Sequence, residues 1–187
     1  DEPGNAQKIT YKELHKKVCR IANVMKSRGV QKGDVVTIYM PMVPETAMVM
    51  LACARIGATH SVVFAGFSAD ALRDRIIDCN SKWLFVTDEG KRGGKNIPLK
   101  KIADAAAAQC PGLDTMFVYK YTSVEGVEMN PTRDVWMHEH LPKVRPYAVC
   151  ESMDSEDTLF ILYTSGSTGK PKGVAHSTAG YLLNAAL

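Results

Sequence analysis

Short apolar runs recur along this chain, separated by stretches of helical periodicity, and that alternation decides its fold class. Asp34-Val-Val-Thr-Ile-Tyr-Met40, His60-Ser-Val-Val-Phe64, Lys82-Trp-Leu-Phe-Val-Thr87, Thr115-Met-Phe-Val-Tyr119 and Thr158-Leu-Phe-Ile-Leu-Tyr163 are each too short for a packed helix, and each reads as a buried strand. Between them lie helical patterns. The first starts at Thr10, where the hydroxyl and Glu13 form a capping box, repeats Leu14, Val18, Ile21, Ala22 and Met25, and stops at Gly29. Others run from Pro44 to Gly57, from Ser68 to about Cys79, from Pro98 to Gln109, and onward from Ser177. Strand, helix, strand in this order predicts an α/β fold: a mainly parallel sheet flanked by helices and built from right-handed βαβ units. Residues 88–96 read as a polar, Gly-rich loop, and residues 122–155 as a less regular stretch with a short helix around Trp136.

Composition narrows the function classes. The 187 residues carry a net charge of +3, with the basic residues scattered, so no block invites nucleic acid or an anionic membrane. No stretch approaches the roughly eighteen apolar residues of a membrane span. The five cysteines are widely spaced, with no CxxC pair, which predicts buried reduced thiols in a cytoplasmic setting and neither a disulfide framework nor a metal site. Both ends read as cut: Asp1-Glu-Pro-Gly-Asn looks like a mid-protein turn, and Leu187 falls inside a helical pattern.

The segment with the most chemistry is Tyr163-Thr-Ser-Gly-Ser-Thr-Gly-Lys-Pro-Lys-Gly173, fed by the last strand. Gly166 and Gly169 open backbone angles that let successive N–H groups face one anion. Thr164, Ser165, Ser167 and Thr168 add hydroxyls for phosphate oxygens or a bound Mg²⁺, and Lys170 and Lys172 add two charges. Open α/β sheets bind ligands at the carboxyl ends of their strands, where this loop sits. It is not a Walker A loop, because Thr164 stands five positions before Gly169 and Pro171 follows Lys170.

The eleven residues resemble the phosphate-binding signature of the adenylate-forming superfamily, which includes acyl-CoA synthetases, peptide-synthetase adenylation domains and luciferases. Within it, Tyr39-Met-Pro-Met-Val-Pro-Glu45, residues 50–58, His60-Ser-Val-Val-Phe-Ala-Gly-Phe-Ser68, Asp88-Glu-Gly-Lys-Arg-Gly-Gly-Lys95 and Glu151-Ser-Met-Asp-Ser-Glu-Asp157 resemble AMP-forming acetyl-CoA synthetases, over nearly the whole chain. The resemblance implies a single partial domain over 1–187, belonging to the N-terminal AMP-binding domain. It implies small-molecule substrates: acetate, activated with ATP and Mg²⁺ to an acyl-adenylate and pyrophosphate, then passed to coenzyme A. It places the ATP phosphates on Thr164, Ser165, Gly166, Ser167, Thr168, Gly169, Lys170 and Lys172. Coenzyme A falls to Phe64, Ala65, Gly66, Arg92, Gly93, Gly94 and Lys95. At two of these positions the family often differs, with Gly for Ala65 and Arg for Lys95; a lysine offers a point charge without the guanidinium fork. The catalytic lysine, acyl pocket and adenine site are expected downstream of the loop, so this chain holds no catalytic residue and is expected to be inactive alone. Propionate or another short acid, or a non-catalytic phosphate-binding module, fits the same residues.

Other polar residues have plainer readings. His138 and His140, two apart, do not share a helix face, and a surface helix explains them better than a metal. His15 reads as a wet helix residue and His176 equally well as structural. Asp70, Arg73, Asp74 and Asp78 read as a charge lattice on one helix.

Overall fold

The computed structural model describes residues 6–165 and 171–187. The chain runs α1 (Tyr11–Ser27), β1 (Val35–Tyr39), α2 (Pro44–Ile56), β2 (Thr59–Val62), α3 (Ala69–Asp78) and β3 (Trp83–Thr87). It continues through β4 (Gly90–Arg92), β5 (Lys95–Ile97), α4 (Leu99–Ala107), β6 (Thr115–Tyr119), β7 (Asp134–Trp136) and α5 (Met137–His140). After a 3-10 turn at Leu141–Lys143 come β8 (Thr158–Thr164), β9 (Lys172–Ser177) and α6 (Thr178–Ala186). The main sheet has the order β7-β6-β3-β1-β2-β8-β9. All its pairings are parallel except β8 with β9, so the expected mainly parallel sheet is present.

The central strands β1, β3 and β6 are apolar on both faces because both are covered. Along β3, Trp83 and Phe85 enter the core beneath α1 and α2, while Leu84 and Val86 enter the core beneath α3 and α4. β6 alternates likewise, with Phe117 and Tyr119 on the first side and Met116 and Val118 on the second. Phe85 stacks on Phe117 at 4.5 Å. The α1 capping box is formed as expected: Glu13 N–H donates to Thr10 Oγ1 (3.3 Å) and Thr10 N–H to Glu13 Oε2 (2.9 Å). Gly57 ends α2 in the left-handed conformation, at φ 72°.

Three segments differ from the sequence expectation. Residues 88–96 are not a plain loop: β4 and β5 pair antiparallel, Arg92 opposite Lys95, around Gly93 and Gly94 at φ 56° and 74°. A two-residue turn with both central φ positive matches the strand twist, and glycine adopts it freely. The short helix expected around Trp136 is α5, which begins one residue later at Met137, and residues 134–136 form β7, parallel to β6. Residues 172–177, where the sequence pattern ends the loop segment at Gly173 and predicts no strand, form β9, the antiparallel return of β8.

Side chains giving hydrogen bonds to backbone carbonyls fasten the irregular return across the α1–α2 face. Asn23 Nδ2 donates to the carbonyls of Arg145 (2.9 Å) and Tyr147 (2.8 Å), Arg55 Nε to Ala148 (2.8 Å) and Lys32 Nζ to Ser152 (2.9 Å). Cys19, Cys53 and Cys110 are buried free thiols, Cys79 is half-buried and Cys150 is exposed.

Candidate functional site

The parallel strands end on one side of the sheet, and there a cleft of about 560 Å³ opens. The tail of β1 (Met40 to Met42), the tail of β2 (Phe64, Ala65), the β4–β5 hairpin (Lys91 to Gly93) and Leu162 of β8 line it. The hairpin reaches the cleft because its root is tied down. Asp88, buried at the end of β3, accepts N–H bonds from Glu89, Tyr121, Thr122 and Ser123 at 2.7–3.2 Å. Glu89 Oε2 then accepts from Asn96 Nδ2 (2.9 Å) and Thr122 Oγ1 (2.8 Å). These bonds join β3, the hairpin and the turn after β6.

Of the residues read as coenzyme A ligands, Phe64, Ala65, Arg92 and Gly93 meet at the cleft. The Arg92 guanidinium lies over the Phe64 ring, 5.1 Å from its centroid. Gly66 makes that stack fit: a Cβ there would stand 2.5 Å from Phe64 Cε1 and 2.9 Å from Arg92 Nη1. Gly94 and Lys95 stand at the exposed turn and do not line the cleft. Lys91 does line it, one residue outside the set read from sequence. Strand alternation would have set Lys91 on the face opposite Arg92, so no local pattern in the sequence announces it.

The phosphate-loop residues stand one strand away. Thr164 and Ser165 are exposed at the carboxyl end of β8, and Lys172 opens β9 directly opposite Thr164. Gly166, Ser167, Thr168, Gly169 and Lys170 lie outside the described residues. The hydroxyl of Tyr163, just before Thr164, donates to Asp78 Oδ2 at 2.6 Å. Burial pushes the Tyr163 pKa far up, and the Asp78 carboxylate adds to the shift, so this phenol stays protonated as a donor. Asp78 was read as part of a lattice on α3; Arg73 does bridge Asp70 and Asp74 at 2.7 Å, but Asp78 is turned to Tyr163 instead.

The histidines fall where the plainer readings put them. His15 and His138 are exposed, and His176 stacks on Phe160 at 4.4 Å, on β9 and away from the cleft lining. His60 was not singled out by sequence. It is buried against Phe160, and Nδ1 has no hydrogen-bond partner among the described residues.

The arrangement offers a flat cation-on-aromatic platform, a second cation at Lys91, and beside them hydroxyls and a lysine at the head of β8. An aromatic ring system carrying phosphates fits the first set; polyphosphate oxygens fit the second.

Comparison with known proteins identifies the family. The family model described as AMP-binding enzyme matches residues 2–187. The chain is 59% identical over 187 residues to an acetyl-coenzyme A synthetase of Penicillium chrysogenum, and 58% identical to one of Bradyrhizobium diazoefficiens. Each alignment covers 100% of this chain but 28% and 29% of the relative, so the chain spans less than a third of their length. The solved structure of acetoacetyl-CoA synthetase from Streptomyces lividans superposes with a TM-score of 0.86 at 26% identity, over 95% of this chain and 27% of that one.

Proposed function

The chain belongs to the AMP-binding enzyme family, and from that premise we propose that it is the phosphate- and coenzyme-A-handling part of an acetate-activating, AMP-forming ligase. The observation that carries this reading is the Phe64–Arg92 platform in a cleft that shares β8 with the phosphate loop. The reaction has two steps. An acetate oxygen attacks the α-phosphorus of ATP, the bond to the bridging oxygen breaks, and pyrophosphate leaves. The sulfur of coenzyme A then attacks the acyl carbon, AMP departs with its electron pair, and the thiol proton passes to solvent.

The first step needs positioning and charge neutralisation more than covalent help from the protein. Thr164, Ser165 and Lys172, with residues 166–170 between them, are assigned to the β- and γ-phosphates, where they neutralise charge on the departing pyrophosphate. Hydroxyls suit a hard cation, so Mg²⁺ carried on the triphosphate would meet Thr164 or Ser165. Among the described residues no three His, Cys, Asp or Glu side chains are grouped as a metal site of their own. In the second step Phe64 stacks the adenine of coenzyme A, while Arg92, with Lys91 and Lys95 near, meets its phosphates.

Two substitutions in the full-length protein test the assignment. Removing one charged donor to phosphate costs about tenfold in KM. Lys172→Ala should therefore raise the KM for ATP in acetate-dependent ATP–pyrophosphate exchange. Arg92→Ala should leave that exchange intact and raise the KM for coenzyme A in thioester formation. Loss of both activities in Arg92→Ala, or of neither in Lys172→Ala, overturns it. The 187-residue chain alone is expected to show no exchange.

A further inference from the structure

Between the two segments just assigned lies a side chain that neither assignment uses. Arg75, on α3, is only 9% exposed, and no carboxylate stands within ion-pair distance among the described residues. A buried guanidinium is costly unless something compensates its charge. Here two aromatic faces do so. The Arg75 carbon Cζ is 4.7 Å from the Phe67 ring and 5.3 Å from the Tyr163 ring, and Nη1 donates to the Ala71 carbonyl at 2.6 Å. Phe67 is held in turn: Tyr39 Oη donates to its backbone carbonyl at 2.7 Å, and its ring meets Phe64 edge-on at 5.6 Å. Arg92 then caps Phe64. The result is a ladder, Arg92–Phe64–Phe67–Arg75–Tyr163, with cations and rings in contact from the hairpin to the head of β8. Asp78 anchors its far end through the Tyr163 hydroxyl.

We propose that Arg75 is a positioning residue that sets the Phe64–Arg92 platform and the head of β8 in one register. The proposal rests on the functional reading of those two segments, but its structural core does not. The geometry supports it in two ways. Phe67 and Tyr163 belong to segments far apart in sequence, and Arg75 lies against both rings. A guanidinium is also flat and broad, so it can stack on two rings at once, which a lysine ammonium cannot do equally well.

The test compares wild type, Arg75→Met, Arg75→Lys and Phe67→Leu in the full-length protein, first by amide hydrogen exchange. The proposal expects residues 60–68 and 158–165 to lose protection together in Arg75→Met and Phe67→Leu, with partial recovery in Arg75→Lys and α1 unchanged. The kinetic counterpart is a rise of about threefold or more in the KM for both ATP and coenzyme A, with kcat within about twofold, as loss of a desolvated cation–π contact allows. Should Arg75→Met fail to fold, Phe67→Leu, altered at a partly exposed ring, carries the comparison. Loosening of one segment without the other, or of the whole chain evenly, overturns the proposal. Paired loosening in the variants, with no ATP–pyrophosphate exchange by the wild-type protein, overturns the assigned activity and leaves the ladder standing.

Discussion

At the scale of single residues, His60 and two kinds of glycine carry the sharpest expectations. Burial pushes the His60 pKa from 6.5 down to about 4, so the folded chain holds a neutral ring. Above pH 6.5 neither the folded nor the unfolded state is charged there, and the residue contributes nothing to pH dependence. As pH falls below that value the unfolded chain takes up a proton that the folded chain refuses. Stability then declines until about pH 4, where the folded ring protonates too, a loss of about 3 kcal/mol. Urea midpoints measured across this window should show the slope, and His60→Phe should flatten it. Among the glycines, Gly94→Ala meets no atom within 4 Å but sits at φ 74°, so its cost is backbone strain of about 1 kcal/mol, local to the hairpin. Gly66→Ala is the reverse case, with no positive φ but with Phe64 and Arg92 in the way. It should weaken coenzyme A binding more than Gly94→Ala while changing the melting temperature less than a core substitution would.

At the scale of elements, β7 shows how tertiary partners hold a strand that its own sequence does not announce. Three residues give no periodicity. They stay because the Asp134 side chain is fully buried between Arg133 Nε (2.6 Å) and Lys100 Nζ (2.9 Å), and Lys100 also bonds Asp104 at 2.7 Å and the Glu128 carbonyl at 3.0 Å. Burial alone would raise the Asp134 pKa, but hydrogen bonds from Arg133 and Lys100 outweigh it and hold it below the usual carboxylate range. Lys100→Met leaves that charge half-compensated and should destabilise the chain by about 3 kcal/mol in urea unfolding. The double variant Lys100→Met with Asp134→Asn should lose less than the two single losses added together, because the second change removes the charge the first exposed. The helices were far more legible: Thr10 with Glu13, Ser68, Ser177 and Gly57 mark their ends by local chemistry, and the structure caps them there.

At the scale of the molecule, the sheet is less closed at its β8–β9 edge than at its centre. α1 with α2 and α3 with α4 bury most of it, but Leu162, Val174, Tyr181, Leu182 and Leu183, on β8, β9 and α6, are each at least 42% exposed. Neighbouring Met50, His60 and Phe160 line an apolar recess of about 260 Å³ beside them. A contiguous patch of this kind binds apolar probes. The 187-residue chain should therefore enhance anilinonaphthalene sulfonate fluorescence under native conditions. Leu182→Lys with Val174→Lys should lower that signal without changing the unfolding midpoint, since neither side chain is in the core.

The sequence by itself determined the α/β class and the order of the main strands and helices, which rest on periodicity, capping and glycine placement acting within a few residues; its motifs, by resemblance, implied the phosphate-loop and platform segments. The tertiary structure alone decided what depends on contacts distant in sequence. It pairs Lys172 with Thr164 across a hairpin, brings Lys91 and not Lys95 to the cleft, and turns Asp78 from its helix lattice to Tyr163. It also stacks Arg75 between two rings that no local pattern relates. A side chain's partner across a sheet is set by how strands align and helices cross, and that alignment is a property of the whole packed core.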